Sequence, residues 1–339
     1  MSTIHFLNVG HGDCSIIQHN SGRVSMIDIC KGNYVPSLAL TELQKLDEMV
    51  RRATGNFGMS KKPTNPLRYL ESLGIEDIFR FILTHPDMDH LDGFDALMDT
   101  FKIWNFWDSG IRRGKPEFEN QYRYDENDWD RYEAVVNGED EELKGARREA
   151  GTSFHYANKK GEDGSVDGLH ILGPDPEIAR GGEDVLDVND SSYVILYRSP
   201  GGRIVIPGDA HDETWEYVIN NYGDDVKNCD VLFAPHHGRK SGRSFDFLDV
   251  LNPRITLFGC ANSGDLAYGS WSSRELPVIT NNQAGNIVIE STAAGLDVYC
   301  ENHSYARAQG CDTAVQNGQG YPYLGRVRRE TPISAGVAA

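Results

Sequence analysis

The amino-acid sequence predicts an α/β protein in which two β-sheets pack face to face with helices outside, a four-layer αββα sandwich. Apolar segments with strand character fall into two groups, one before about residue 83 and one after residue 168. Segments with helical spacing are interleaved with both groups. Because a sheet must bury its apolar face against another layer, two such groups favour two stacked sheets covered by helices.

The first group begins with three short strands joined by glycine turns, Gly10-His11-Gly12-Asp13 and Asn20-Ser21-Gly22. Leucines at helical spacing predict a helix over residues 66–73, and Gly74 supplies its stop signal. A further helix is expected over residues 93–101. The predicted strands of this group cover residues 4–9, 14–18, 23–29 and 78–83.

The second group repeats the strand pattern after residue 168 and contains one predicted helix around residues 213–220. Apolar and β-branched runs bounded by Gly, Pro and Asn carry the prediction. The predicted strands cover residues 168–172, 192–197, 203–207, 231–234, 255–258 and 287–289.

Residues 104–166 are rich in Trp, Tyr, Asp, Glu and Arg and poor in aliphatic residues. This composition fits either a helical insertion that forms a lid over a site or a solvated helix pair with its aromatic residues packed on the body. We therefore predict one domain over residues 1–310 with an insertion at about 104–166. Residues 311–339 are predicted to form a weakly ordered tail.

The composition of the chain limits the classes of function that it can have. With 39% apolar and 25% charged residues the chain resembles ordinary globular proteins, and no apolar run reaches the length of a membrane span. The N-terminus shows no basic region followed by an apolar stretch, so a cytoplasmic protein without membrane association is expected. Six widely spaced cysteines predict neither a disulfide framework nor a cysteine metal site. A net charge of −18 disfavours a broad nucleic-acid surface, while a small anionic substrate stays compatible.

Four potential metal ligands follow the strand predicted over residues 78–83. Side chains of an extended chain alternate between its two faces, so the first three ligands, at every second position, could point to one side. The fourth ligand would reach the same region as the backbone turns. Imidazole and carboxylate together suit zinc, manganese or iron in sites that are more often catalytic than structural. A solvated polar turn is the simpler alternative. The four residues are His85, Asp87, Asp89 and His90.

Three other strand ends carry polar residues. Asp209 could bridge two metals or cap the following helix. The adjacent His236 and His237 favour contact with a metal or substrate, because two imidazoles are costly to bury without partners. Asp190, after Asn189, could supply a ligand or belong to an Asx turn.

The motifs together resemble the metallo-β-lactamase fold superfamily of metal-dependent hydrolases. They are most similar to the hydrolase domain of ComEC/Rec2-type competence proteins and its stand-alone relatives. The resemblance runs in order from residue 3 to about 290 and excludes residues 104–166. The matching elements are the Gly-x-Gly-Asp turn ending in Asp13, the strand-end Asp28, His85-x-Asp87-x-Asp89-His90-x-x-Gly93, Asn189-Asp190-x-Ser192, Gly208-Asp209 and Pro235-His236-His237-Gly238.

The resemblance implies two divalent transition metals, zinc or manganese, about 3.5–4 Å apart and bridged by Asp209 and a water that they activate. His85 and Asp87, with Asp190 added, would bind one metal. The other metal would be held by Asp89, His90 and one of His236 or His237. Asp89 and Asp209 are the expected catalytic residues. Asp209 would bridge the metals, and Asp89 could orient the bridging water instead of binding a metal.

Four further residues are expected to support the ligands from behind. Asp28 would orient a ligand histidine, and Asp13 and Asn189 are also expected to support the metal ligands. The fourth is Ser270, which with Trp271 stands where relatives usually carry a His-Pro pair. The loss of that histidine puts in doubt any substrate contact it would make.

The expected activity is hydrolysis of a phosphodiester or related phosphoester on a small anionic substrate, with long nucleic acid left open. Two alternatives remain: a lactam, thioester or lactone hydrolase of the same fold, and a metal-binding regulatory protein without turnover. The sequence predicts neither an oligomeric state nor a membrane partner.

Overall fold

The structure, a computed structural model, describes residues 1–34, 56–120, 123–180, 188–261 and 264–328. Strands and helices are numbered here in chain order. The strands are β1 (Ser2–Phe6), β2 (Ser15–Gln18), β3 (Val24–Ile27), β4 (Asp77–Ile78), β5 (Arg80–Ile82), β6 (Lys102–Ile103), β7 (Phe106–Asp108), β8 (Gly145–Arg147), β9 (Leu169–Gly173), β10 (Val194–Ser199), β11 (Gly202–Ile206), β12 (Val231–Phe233), β13 (Ile255–Phe258), β14 (Val278–Thr280), β15 (Ile287–Thr292), β16 (Gly295–Cys300) and β17 (Tyr323–Val327).

The helices that cover the sheets are short, apart from two of 12 and 15 residues. They are α1 (Pro66–Ser72), α2 (Phe94–Thr100), α3 (Glu126–Asn137), α4 (Pro176–Arg180), α5 (Asp212–Val226), α6 (Phe247–Leu251), α7 (Tyr268–Ser272), α8 (Asn281–Ala284) and α9 (His303–Ala308). Within the described ranges, no helix is both long enough and apolar enough to span a membrane.

Two large sheets form the body. The first has the strand order β17-β16-β15-β1-β2-β3-β5-β7-β8, and the second has the order β14-β13-β12-β11-β10-β9. In the first sheet β1, β2 and β3 are antiparallel neighbours, whereas β3, β5, β7 and β8 run parallel. In the second, β11 to β14 are parallel. The carboxyl ends of parallel strands share an edge, and ligand sites of open α/β sheets lie outside such edges.

The apolar core has three layers, which give the αββα order predicted from the sequence. Ile4 and Ile82 of the first sheet pack with Ile195 and Phe233 of the second in the central layer. Outside the first sheet, a second cluster includes Phe94 of α2 together with residues of α1 and α3. Outside the second sheet, residues of α5, α6 and α7 form the third cluster. Each sheet thus buries both faces, as the near-continuous apolar runs of its central strands require.

Residues 104–166 are more than an insertion. They contain the helix α3, but they also supply β7 and β8, which extend the first sheet beyond β5. The predicted helical structure therefore covers only part of this segment, and the insertion or lid over the site stays a prediction. Composition did not indicate the strands, because β8 is a three-residue edge strand of Gly, Ala and Arg that carries no apolar run. Residues 121 and 122 lie outside the described residues.

The predicted weakly ordered tail also contains regular structure. Within residues 311–328, β17 pairs antiparallel with β16 and forms one edge of the first sheet. Arg326 and Asp297 form a two-pronged ion pair across these strands, with both N–O distances at 2.7 Å. Residues 329–339 lie outside the described part of the chain, so the prediction for them stands.

Candidate metal centre

The polar residues singled out from the sequence follow strand ends at one edge of the two sheets. The segment after β5 brings four of them, the segment after β11 brings one, and the turn after β12 brings an adjacent pair. The end of β3 and the turn between β1 and β2 each add a carboxylate. In chain order they are Asp13, Asp28, His85, Asp87, Asp89, His90, Asp209, His236 and His237.

Asp209 lies at the centre of this group. Its Oδ1 is 3.4 Å from Nε2 of His90, and its Oδ2 is 4.0 Å from Nε2 of His85. The same Oδ2 is 3.5 Å from Nε2 of His236 and 3.8 Å from Nε2 of His237. Four imidazoles therefore turn the same ring nitrogen towards one buried carboxylate.

The opposite ring nitrogens of three imidazoles face oxygens. Nδ1 of His90 lies 2.8 Å from Oδ2 of Asp28, and Nδ1 of His237 lies 3.0 Å from Oδ1 of Asp13. Nδ1 of His85 lies 3.1 Å from the hydroxyl of Thr84, which itself donates to Asp28 at 2.7 Å. A carboxylate only accepts, so it holds the proton on Nδ1 of its histidine and leaves the Nε2 lone pair for a metal.

His236 has different neighbours. Its Nδ1 lies 3.0 Å from Nη2 of Arg243 and 3.0 Å from the hydroxyl of Ser241. A guanidinium only donates, so Nδ1 of His236 accepts and the neutral ring carries its proton on Nε2. Both histidines adopt a positive φ, 51° and 58°, but the side chain of His236 is more exposed than that of His237 (16% against 2%). The adjacent histidines thus differ in their surroundings.

Asp87 and Asp89 flank the central group from opposite sides. Oδ2 of Asp87 lies 3.7 Å from Nε2 of His85, and Oδ2 of Asp89 lies 3.4 Å from Nε2 of His237. Asp87 also forms an ion pair with Arg113, which comes from the segment after β7. Both carboxylates are partly exposed, at 27% and 28%, so the centre opens to solvent on their side.

The charged side chains in this group strongly shift one another's pKa values. Burial alone would raise the pKa of Asp209, but the neighbouring imidazoles of His237 and His90 hold it well below its usual value. Burial would likewise lower the pKa of His90 and of His237, yet the surrounding carboxylates keep both well above 6.5. For His236, burial dominates and lowers the pKa to about 4. The arrangement favours a concentrated positive charge at its centre.

Two glycines allow the loops to approach this closely. Gly12 has a φ of 108°, and a Cβ there would lie 2.2 Å from the backbone oxygen of Asp89. Gly208 has a φ of 51°, and a Cβ there would lie 2.8 Å from the side chain of Thr84. These positive φ values suit glycine, which lets the turns before Asp13 and Asp209 fold against the segment after β5.

The buried donor and acceptor atoms of this centre fit a metal ion. Among the described residues, Nε2 of His85, His90 and His237 and Oδ1 of Asp209 are buried without any hydrogen-bond partner. One ligand atom from each of Asp13, His90, Asp209 and His237 lies within 4.8 Å of the other three. Buried polar atoms are normally satisfied, so four orphaned atoms facing one another indicate a divalent cation.

Comparison with known proteins adds a sequence relationship. No model of a known protein family matches the chain. The chain is 25% identical to ComE operon protein 3 of Bacillus subtilis (strain 168) over 264 residues, which are 77% of this chain and 28% of that protein. It is 27% identical to competence protein ComA of Neisseria gonorrhoeae over 195 residues, 58% of this chain and 21% of that protein. The matches thus span less than a third of each relative's length.

Two solved structures are similar to this chain at low sequence identity. Tm1679, a metal-dependent hydrolase of the β-lactamase superfamily, is 14% identical with a TM-score of 0.48, covering 86% of this chain and 100% of that one. Igni18, a metallo hydrolase from the archaeon Ignicoccus hospitalis, is 13% identical with a TM-score of 0.43, covering 85% and 99%. The αββα sandwich predicted from the sequence is confirmed by the two stacked sheets and their outer helices. The resemblance to competence proteins that the motifs of the chain indicate is confirmed.

Three residues predicted to take part in this site have contacts of another kind. Asp190 accepts from the backbone N–H of Thr214 at 3.3 Å near the start of α5. The backbone oxygen of Asn189 accepts from Ser192, which is a turn contact. Ser270 lies within α7, where its backbone N–H donates to Ala267. Among the described residues, the group whose ligand atoms lie within 4.8 Å of one another includes none of the three, and it also lacks His85, Asp87, Asp89 and His236.

Sequence reasoning missed several residues that surround the ligands. Thr84 links Asp28 to His85, and Arg243 sets the surroundings of His236. Arg113 and Arg123 reach the site from the segment before α3, where Arg123 donates to the backbone oxygen of His11 at 3.1 Å. Thr84 directly precedes His85, so its place beside the ligand motif could have been noticed in the sequence. The arginines carry no local pattern that would connect them with the site.

Proposed function

We propose that this chain is a metal-dependent hydrolase that acts on a phosphodiester or a related phosphoester. His85 and Asp87 would hold one divalent metal, and Asp89, His90 and His237 the other, with Asp209 between them. Divalent metals at such a centre generate a nucleophile from water at neutral pH and stabilise negative charge that develops on the substrate.

The residues behind the ligands keep the centre ready for this role. Asp28 and Asp13 hold the proton on Nδ1 of His90 and His237, so that Nε2 stays unprotonated in the neutral ring. Asp28 also accepts from the backbone N–H of Thr84 at 2.8 Å, which fixes the segment that carries the first ligands. Asp89 is partly exposed beside His237, on the side where the centre opens to solvent.

Arginines beside the metal centre, called here the cationic rim, support the proposal that the substrate is an anion. Arg113 contacts Asp87, and Arg123 reaches the backbone of His11. A metal held by Asp87 would share the charge of that carboxylate, which would leave the Arg113 guanidinium available to a substrate oxyanion. Arginine forms strong paired hydrogen bonds with phosphate oxygens, whereas an uncharged lactam would gain little from this rim.

The acidic balance of the whole chain narrows the substrate further. A net charge of −18 repels long polyanions, so a short oligonucleotide or a small phosphoester is favoured over long nucleic acid. The two competence proteins are similar to this chain over less than a third of their length, and the substrate proposed here concerns this chain alone.

The test compares an anionic and a neutral substrate. With zinc or manganese, the protein is expected to hydrolyse bis-p-nitrophenyl phosphate, and Asp209→Asn is expected to abolish that activity. Arg113→Gln should raise KM for the phosphodiester about tenfold, because a charged hydrogen bond to substrate is lost, and leave KM for the neutral ester p-nitrophenyl acetate unchanged.

Arg112→Gln is the matched control, since Arg112 has the same charge but pairs with Asp108 at 3.4 Å. Equal KM changes in both arginine variants would contradict the role of the rim. Turnover of a lactam or thioester panel without phosphodiester cleavage would identify the alternative hydrolase, and binding of metal with no turnover at all would favour the regulatory protein.

A further inference from the structure

A second candidate site lies at the other end of the first sheet. A cavity of about 520 Å³ opens where β5 and β7 begin, and its lining includes Arg80, Trp104, Trp107, Arg148 and Phe154. The metal ligands follow the opposite end of β5, and the five residues from Arg80 to His85 correspond to about 16 Å of extended chain. The volume is in the range of small-molecule pockets.

Arg80 is the first feature that needs a ligand. This arginine is 1% exposed, and its Nη1 donates to Ser25 at 2.8 Å and to Asp167 at 3.0 Å. Within the described part of the chain, its Nε and Nη2 are buried without a hydrogen-bond partner. These two nitrogens form the edge of the guanidinium that binds a carboxylate or phosphate through two parallel hydrogen bonds.

Arg148 lies beside Arg80 and repeats the pattern. It is half-buried, and its Nε is also buried with no hydrogen-bond partner among the described residues. The two guanidinium centres lie 5.0 and 5.3 Å from the ring centre of Trp107, and that of Arg148 lies 4.8 Å from the ring of Phe154. Aromatic contact stabilises the cations but supplies no acceptor atom for their N–H groups.

The charge and shape of the cavity indicate what would bind. Among the residues that the structure describes, its lining contains two arginines and no carboxylate, in a chain whose net charge is −18. Asp167 balances part of the charge of Arg80 from behind, and Arg23 shares that same carboxylate. Trp104 at the mouth is 53% exposed, and the Lys102 ammonium lies 3.6 Å from its ring centre, so a ligand ring would stack on the indole face opposite Lys102. Positive charge therefore meets aromatic surface in one pocket.

We propose that this cavity binds a planar ring that carries an oxyanion. The oxyanion pairs with Arg80 and Arg148, and the ring stacks against Trp104. A nucleoside monophosphate and an aromatic carboxylate share this chemistry. The site is separate from the metal centre and does not depend on the activity proposed above.

The experiment measures binding by calorimetry and by quenching of tryptophan fluorescence, with the full chain in its metal-loaded and chelator-treated forms. Adenosine 5′-monophosphate and 4-hydroxybenzoate carry both a ring and an oxyanion, whereas adenosine and inorganic phosphate each carry only one. At least one of the first two is expected to bind tenfold or more tightly than both single-feature probes, in both forms of the protein. The tighter of the two distinguishes a nucleotide from an aromatic carboxylate.

Variants locate the site. Arg148→Gln and Trp104→Ala should each weaken that binding about tenfold, in line with the loss of a charged hydrogen bond or of a stacking contact. Arg147→Gln is the matched control, since Arg147 lies next in the chain but pairs with Glu149 at 3.5 Å. The proposal is overturned if no ring-bearing oxyanion saturates the protein, if chelation abolishes binding, or if both arginine variants behave alike.

Discussion

At the scale of single residues, the partner on the far side of each imidazole decides what that imidazole can do. His236 and His237 are neighbours in sequence and both turn Nε2 towards Asp209. Behind His237 stands the carboxylate of Asp13, while behind His236 stands the guanidinium of Arg243. The first arrangement leaves a lone pair on Nε2, and the second places a hydrogen there. The sequence offered either histidine as the ligand.

Metal content should separate the two histidines. His237→Gln is expected to lower the metal bound per chain from about two equivalents to about one, because a ligand with an oriented lone pair is lost. His236→Gln is the matched variant and should keep both equivalents, since its Nε2 carries a hydrogen. Elemental analysis of protein purified with zinc measures both. An equal loss in the two variants would show that the Arg243 contact does not set the role of His236.

At the scale of secondary structure, apolar strands with a metal-ligating end were predictable and polar edge strands were not. The segments around β1, β5 and β12 carry apolar runs that a buried strand requires, so their ends, and the residues there, could be found from the sequence. In contrast β17 reads Tyr-Leu-Gly-Arg-Val with mostly half-buried residues. Its strand conformation depends on hydrogen bonds to β16, which no local pattern records.

Removal of β17 should therefore cost stability. A chain that ends after Gly310 loses the ladder to β16, the Arg326–Asp297 ion pair and the bond from Gln319 to Tyr69. Several lost hydrogen bonds at about 1 kcal/mol each predict a decrease in the free energy of unfolding on the order of 3 kcal/mol. The bared edge of β16 should also promote association. Urea unfolding and size-exclusion chromatography measure the two effects.

The matched control for that truncation is a chain that ends after Arg328, which keeps β17 and removes only residues 329–339. Its free energy of unfolding and its elution volume are expected to equal those of the full chain. If the two truncated chains are equally stable, β17 does not hold the edge of the first sheet.

At the scale of the whole molecule, the architecture was predictable because two groups of apolar strands admit few packings, but the distribution of charge was not. The chain is strongly acidic, yet arginines gather at the metal centre and at the cavity beside Trp107. These arginines come from segments far apart in sequence, such as Arg80 and Arg148. Their proximity exists only after both β5 and β8 have joined one sheet.

The same packing buries two histidines in neutral form. His5 lies between Tyr69 and Gln18, each 3.0 Å away, and His19 lies 2.8 Å from the hydroxyl of Ser25. Burial lowers the pKa of His5 to about 4 and that of His19 to about 3. Below pH 6.5 the imidazoles of His5 and His19 bind protons in the unfolded chain but stay neutral in the folded chain. Their contribution to stability is therefore present above pH 6.5 and is lost as the pH falls towards 4 and 3.

The size of this loss can be measured for His19 alone. Between pH 7.5 and 5.0, one histidine that stays neutral in the folded state lowers the free energy of unfolding by about 2 kcal/mol. His19→Gln should remove that part of the pH dependence, so urea unfolding at the two pH values should show a difference smaller by about 2 kcal/mol than in the parent chain. The titration of the metal ligands cancels in this comparison, because it is common to both proteins. His303→Gln, at an exposed position, should keep the full dependence. The same pH dependence in His19→Gln and the parent would mean that His19 takes up its proton in the folded state, and burial would then not be what keeps its imidazole neutral.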